Sequence, residues 1–430
     1  MSNPQSPFAH FGGHISPAVR AFKEIAEILY NRLDAVDRRI DSIEKQLDET
    51  SARETEAITS KMREEFQWQT NWLYDEMERH NRSSSTRDAH ARIYLEQLFA
   101  QKGESSEEAR RRLFANIAPA TGNTRLFQLA TAKLMNKLDS ICDHLGIEYW
   151  FAYGTLVAAL YRQGSIPWDD DIDICMRRND IDKLERYLAR SNENGSDELG
   201  MGFQVTTVYD KFVLCRQKRF CSTDRDLPCF IDLSIWDEAS AATKEADKQL
   251  QAMRQELMDK LNAACAEDGK LAYWNENPFL LGEGSGVCSQ VIGVDWAAID
   301  EQRRAETVSA IEDIFEEYQA RAIEAGLLCA QAEENSEAGN PAALAYAFDN
   351  IYDAPWRRIT WPADMFLPTR KAPYEGYMFR LPNKAKDVCD ECYPDSPYLP
   401  NDIFSHKHFA VGTMEGNEVA EKLLSFIRSE

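Results

Sequence analysis

Asp169, Asp170, Asp171 and Asp173 crowd together in the stretch YGTLVAALYRQGSIPWDDDIDICM, which runs from Tyr153 to Met176. Ile172, Ile174 and Met176 alternate with Asp171, Asp173 and Cys175, the period of a strand with one face buried and the other turned to a cleft. Asp171 and Asp173 therefore point the same way, roughly 6.6 Å apart along the strand. Two carboxylates so placed repel each other unless a cation lies nearby. Hard oxygen ligands suit Mg²⁺ or Mn²⁺, ions that keep open positions for substrate phosphate oxygens. The competing reading is a solvated acidic loop, but Trp168 and the isoleucines tie the run into a core.

Elements upstream and downstream must position these carboxylates. The run Glu148 to Tyr153 reads as a strand and Leu156 to Tyr161 as the start of a helix, with Gly154 and Thr155 at the turn between them. A glycine there lets the backbone approach a phosphate, and the first N–H groups of the helix then face it. Downstream, Asp232 sits in the otherwise apolar strand Cys229 to Trp236, where an unpaired carboxylate is costly. It is either a member of the acidic site or a core carboxylate paired with an arginine or a backbone N–H. Arg216, Lys218, Arg219 and Arg225 flank these strands as candidate counter-charges for a donor phosphate, or as solvated strand decoration.

A Gly-Thr turn followed by an acidic strand resembles the nucleotidyltransferase pattern. More narrowly, GTLVAALYRQGSIPWDDDIDICMRRNDIDKL is similar to the signature of the LicD family, the phosphotransferases related to fukutin and fukutin-related protein, whose usual form is close to GTLLGAVRHxGFIPWDDDIDIxMxRxDYxxL. The helix Leu126 to Gly146 and the distal PYEGYMFRLPNKAKDVCDECYPD also look like family segments, so the resemblance covers about Arg125 to Ser405. It implies metal-dependent transfer of a phospho-alcohol group, phosphocholine or a similar unit, from a CDP-linked donor to a sugar hydroxyl of a cell-surface glycan precursor. It further implies that Asp171, Asp173 and Asp232 ligate Mg²⁺ or Mn²⁺ and carry the catalysis, and that Gly154 and Thr155 hold donor phosphate. Asp169, Asp170 and Glu375 rank second, Glu375 lying where relatives have FEG or YEG. The sequence departs from the family at Ala158, where Gly is usual, and at Tyr161, where Arg is usual, with Arg162 one place later. A helix residue one position on points about 100° away, so either Arg162 takes over a phosphate contact or Tyr161 lines the donor pocket.

The chain has 430 residues and a formal net charge of −23. That length gives a prior of two or three units, and that charge argues against nucleic acid or anionic membrane as partners. The cysteines are scattered singly and read as reduced; Cys389/Cys392 and Cys221/Cys229 are isolated pairs that lack the second half of a zinc site. The first residues have neither a basic start nor an apolar core, and no run is long enough to span a bilayer, so the expected location is cytoplasmic.

Along the chain, residues 1–20 read as a flexible N-terminus and 21–85 as a coiled-coil helix, with apolar residues from Phe22 to Met62 mostly at alternating three- and four-residue steps. A helix this polar is expected to pair with a copy of itself or to dock on another protein, the competing reading being a single helix packed back along its own catalytic domain. Residues 86–124 form a helical connector, 125–239 the catalytic core, 240–355 a helical insertion that includes a helix from Pro341 to Ile351, and 356–430 the C-terminal part of the LicD-like domain. The expected architecture is α/β (α+β): a nucleotidyltransferase-like mixed sheet with helical insertions and an N-terminal coiled coil. Two other functions compete, an enzyme that adds a whole nucleotide and a non-catalytic coiled-coil adaptor with a ligand-sensing domain.

Overall fold

The computed structural model describes residues 100–195, 198–211, 214–224, 227–267, 269–276, 279–281, 300–330, 341–350, 358–392 and 417–429. The expected flexible N-terminus over 1–20, the expected coiled coil over 21–85 and Arg225 lie outside the described residues. In chain order the elements are α1 (Ser106–Asn116), α2 (Gly122–Leu145), β1 (Tyr149–Phe151), α3 (Tyr153–Tyr161), β2 (Asp173–Arg177), α4 (Arg178–Asn194), β3 (Phe203–Asp210), β4 (Cys215–Ser222) and β5 (Phe230–Ala239). There follow α5 (Lys244–Glu267), α6 (Gly269–Glu276), β6 (Phe279–Leu281), α7 (Glu301–Glu324), β7 (Ala343–Tyr346), β8 (Thr360–Pro362), β9 (Arg370–Tyr374), β10 (Tyr377–Leu381), α8 (Ala385–Cys392) and α9 (Asn417–Arg428).

Strand β5 is the axis of a mixed sheet. It runs parallel to β2, with Asp173 beside Asp232 and Trp236 beside Arg177. Its other edge changes partner, taking β4 along Phe230–Leu233 and β7 along Trp236–Ala239, both antiparallel. The order β1-β2-β5-β4-β3-β6 is completed by β7 and β8 beyond that switch. Alternation gives β5 two unlike faces. Trp236 on one face packs with Trp150 and Phe366 at ring separations of 5.8 and 4.8 Å, a geometry that favours edge-on aromatic contact. On the other face Asp237 and the neighbouring Lys218 and Arg216 meet α4 and α7.

Local signals explain several boundaries. Ser105 and Glu108 form a reciprocal capping box at the start of α1, and Asp300 accepts from the N–H groups of Gln302 and Arg303 at the start of α7. The segment 240–355 departs from expectation. It contributes α5, α6 and α7, yet Ala343–Tyr346 is a strand rather than a helix, and β6 joins the far edge of the sheet. The alanine-rich run favours a helix by propensity. Pairing with the free half of β5, and complete burial of Ala343–Tyr346, override it. The hairpin β9–β10, unread from the sequence, turns on Glu375–Gly376. Among the described residues no helix is long and apolar enough to cross a membrane.

Candidate functional site

The parallel register puts Asp173 and Asp232 on neighbouring strands, whose axes lie about 4.8 Å apart. Asp171 enters from the extended residues just before β2. Asp171, Asp173 and Asp232 each offer a carboxylate oxygen such that these atoms all lie within 4.8 Å of one another. All three residues are half-buried. The backbone beneath them is fixed. The Asp232 N–H donates to the Ile172 carbonyl at 3.0 Å, and the Ala152 N–H to the Asp173 carbonyl at 3.1 Å. The Asp173 N–H donates to Thr155 Oγ1 at 3.0 Å. Thr155 is buried, so its hydroxyl supports the acidic strand from below.

Asp169, Asp170 and Asp171 form a second group of convergent carboxylates that shares Asp171 with the first. Asp170 is buried and Asp169 half-buried. Gly154 is what lets the acidic run settle on the start of α3, because a Cβ there would stand 3.1 Å from Asp169 Oδ2. The helix opens on Tyr153, whose φ of +45° is a left-handed conformation. The Tyr153 hydroxyl meets that of Tyr346 at 2.7 Å.

The basic candidates separate by strand alternation. Arg219 lies opposite Asp232 in the β4–β5 register, and its Nε donates to Asp232 Oδ1 at 2.7 Å. Its guanidinium also stacks 4.0 Å over the Phe230 ring. Arg219 thus stands in the site. Arg216 and Lys218 project from the opposite face of β4. Lys218 pairs with Glu185 of α4 at 2.8 Å. Arg216 is buried between Asp349, at 2.7 Å, and Glu312 of α7. Neither is brought to the acidic group.

The two residues at the family departure are also turned to other work. Arg162 donates from Nε to the Ser165 carbonyl at 2.9 Å and from Nη1 to the Phe114 carbonyl at 2.8 Å, joining α1 to the loop that follows α3. Burial lowers its pKa. The Tyr161 ring lies under the guanidinium of Arg111 at 5.4 Å. Glu375 is likewise a loop-holding residue. Its carboxylate takes both Nη groups of Arg125, at 2.7 and 2.6 Å, and the Ser165 N–H at 2.7 Å. Arg125 and Gln128 of α2 were not singled out from the sequence, though both precede the acidic run on an amphipathic helix.

Burial raises the Glu375 pKa, but the hydrogen bonds from Arg125 and Ser165 outweigh it and hold the group below its ordinary value of 4.5. A depressed folded pKa means stability that is present above that value and lost as the pH falls through the folded one. The difference in melting temperature between wild type and Glu375→Gln should therefore be largest at neutral pH and shrink below about pH 4.5. A difference independent of pH would show that the ion pair contributes nothing.

The donor set fits a hard divalent ion. The ligand atoms are all carboxylate oxygens, with none softer, and they lie within 4.8 Å of one another, close enough to gather round one ion whose trans oxygens stand about 4.2 Å apart at bonds of about 2.1 Å. The described cysteines offer no comparable group. Among the described residues none joins a cluster of metal-ligating atoms. Burial pushes the Cys389 and Cys229 thiols up to about 12, so they stay protonated at neutral pH.

Comparison with known proteins narrows the identity. Residues 146–259 match the profile described as "LicD/FKTN/FKRP, nucleotidyltransferase domain". The chain is 29% identical over 113 residues to the lipopolysaccharide cholinephosphotransferase LicD of Haemophilus influenzae, covering 26% of this chain and 43% of that protein. It is 31% identical over 93 residues to an uncharacterized protein of Rickettsia prowazekii, covering 21% of this chain and 35% of the relative. A third relative, an uncharacterized protein of Rickettsia typhi, is 33% identical over 67 residues, covering 16% of this chain and 22% of its own length. The chain thus spans less than half the length of each. The acidic run, Arg219 and Asp232 all fall inside the matched segment, so the part of the chain that is similar to the LicD family is the part that builds the acidic group.

Proposed function

We propose that the protein transfers a phospho-alcohol group, phosphocholine or a close analogue, from a CDP-linked donor to a sugar hydroxyl of a cell-surface glycan precursor in the cytoplasm. The observation that carries this reading is the convergence of Asp171, Asp173 and Asp232 with Arg219 at their side. The name of the Haemophilus relative supplies the phosphocholine class. Asp171, Asp173 and Asp232 would hold Mg²⁺ or Mn²⁺, which when bound neutralises the phosphoryl oxygens and lowers the barrier to in-line displacement. Arg219 compensates charge on the transferred phosphate. Gly154 and Thr155, in the first turn of α3, direct backbone N–H groups toward the donor. Asp232 orients the acceptor hydroxyl and takes its proton as the oxygen–phosphorus bond forms and the bond to CMP breaks, releasing CMP.

Thermal shift of the full chain against a panel of CDP-alcohols tests this. CDP-choline with Mg²⁺ should stabilise the protein by about 2.7 kcal/mol at a hundredfold excess over Kd. Arg219→Ala should remove most of that shift. Stabilisation by nucleoside triphosphates alone would favour nucleotide addition instead. The heptad pattern over 21–85 supports self-association, so light scattering should give a multiple of the 49.1 kDa chain mass. A monomer would rule out self-pairing.

A further inference from the structure

The loop between α3 and β2 carries Asp169, Asp170 and Asp171 and has little regular structure of its own beyond one internal turn, in which the Asp169 N–H donates to the Ile166 carbonyl at 3.0 Å. Its shape is imposed from outside by a chain of hydrogen bonds. Gln128, buried on α2, donates its carboxamide to the Ile166 carbonyl at 2.9 Å and to the Asp169 carbonyl at 2.8 Å, so one side chain clamps both ends of that turn. Arg125, one turn earlier on α2, donates to Gln128 Oε1 at 3.4 Å and makes its two-pronged pair with Glu375. Glu375 in turn accepts from the Ser165 N–H and donates its own N–H to the Gln163 carbonyl at 3.0 Å. Tyr374, beside it, donates its hydroxyl to Ser165 Oγ at 3.2 Å.

Resting on the reading given under Proposed function, we propose that Glu375, Arg125 and Gln128 form a latch that sets the position of the Asp169–Asp171 carboxylates, making them positioning residues for the phosphoryl-transfer site. Two features mark this as more than packing. Glu375 occupies the first turn position of a two-residue hairpin at φ +50°, followed by Gly376 at φ +85°. Such turns favour Asn, Asp or Gly there, and a bulkier residue at positive φ is strained. The hairpin keeps a glutamate where its own backbone prefers another residue. Gly164 completes the fit, since a Cβ on it would lie 3.0 Å from Glu375 Oε1. The latch residues all lie outside the matched segment 146–259, before it on α2 and after it on the hairpin. The functional unit is accordingly longer than the match.

The test uses the full chain with Gln128→Leu and Glu375→Gln. Without metal, hydrogen exchange of the amides in 165–172 should quicken at least tenfold in each variant, while those of β2 and β5 stay within twofold of wild type. Calorimetric titration with Mn²⁺ should then show affinity lowered 10- to 100-fold, the range for partners that orient metal ligands. Unchanged loop exchange, a rise spread evenly over β2 and β5, or Mn²⁺ affinity within twofold of wild type would each overturn the proposal. Glu375→Gln retains an acceptor for Ser165 and stands in if Gln128→Leu does not fold. If the wild-type chain itself takes up no Mn²⁺, the reading under Proposed function fails, and the exchange measurement alone decides the latch.

Discussion

Asp173→Asn should bring turnover below about a hundredth of wild type, a larger loss than the 10- to 100-fold typical of a residue that only orients a ligand. Asp173 faces Asp232 across parallel strands and shares the cleft with Asp171. Removing one of three converging negative charges relieves repulsion in the metal-free protein. The substitution keeps the side-chain shape, and the backbone bond from Asp173 N–H to Thr155 Oγ1 does not involve the carboxylate. The melting temperature without metal should accordingly stay level or rise, while the gain in stability on adding Mg²⁺ disappears. Activity near wild type would remove Asp173 from the site. A marked fall in stability would show that the carboxylate serves the fold.

Asp349→Ala should do the opposite, damaging stability far more than chemistry. Asp349 is 4% exposed and sits between Arg178 and Arg216 on the sheet face turned away from the acidic group. Arg178 also pairs with both oxygens of Asp237, at 2.6 and 3.0 Å, and Arg216 with Glu312. Burial raises the Asp349 pKa, but the two guanidiniums outweigh it and hold the carboxyl well below the usual range. Deleting it leaves buried positive charge short of a partner, a change of about 3–5 kcal/mol. The urea midpoint should fall accordingly, with turnover per folded molecule kept. A loss under about 1 kcal/mol would mean that water reaches the guanidiniums.

The chemistry was more legible in the sequence than the architecture that serves it. Asp171 and Asp173 announce themselves because a two-residue period leaves them on one strand face, and Asp232 because a charge inside an apolar strand needs a reason. Which arginine joins them depends on register. Arg216, Lys218 and Arg219 look alike in sequence, and only the pairing of Arg219 with Asp232 selects one of them. Arg162 reads as a phosphate ligand until its hydrogen bonds to the Ser165 and Phe114 carbonyls are seen. Its partners are main-chain atoms, one three residues on and the other 48 residues back, and no side-chain pattern encodes them. Ala343–Tyr346 shows the same limit for the fold, since its composition favours a helix while the open half of β5 supplies a strand partner. The Glu375–Gly376 pair did carry a hairpin signal, a glycine in the second turn position between strand-like runs.

Product analysis tests the central claim most directly. The full chain is incubated with CDP-choline, a panel of glycan acceptors and Mg²⁺, with a parallel reaction in EDTA, and followed by phosphorus NMR. The account predicts free CMP together with a new phosphodiester in the Mg²⁺ reaction, neither in EDTA, and neither with Asp171→Asn, Asp173→Asn or Asp232→Asn. Pyrophosphate released from a nucleoside triphosphate in place of CMP, or donor cleavage that persists equally in EDTA and in the aspartate variants, would contradict it.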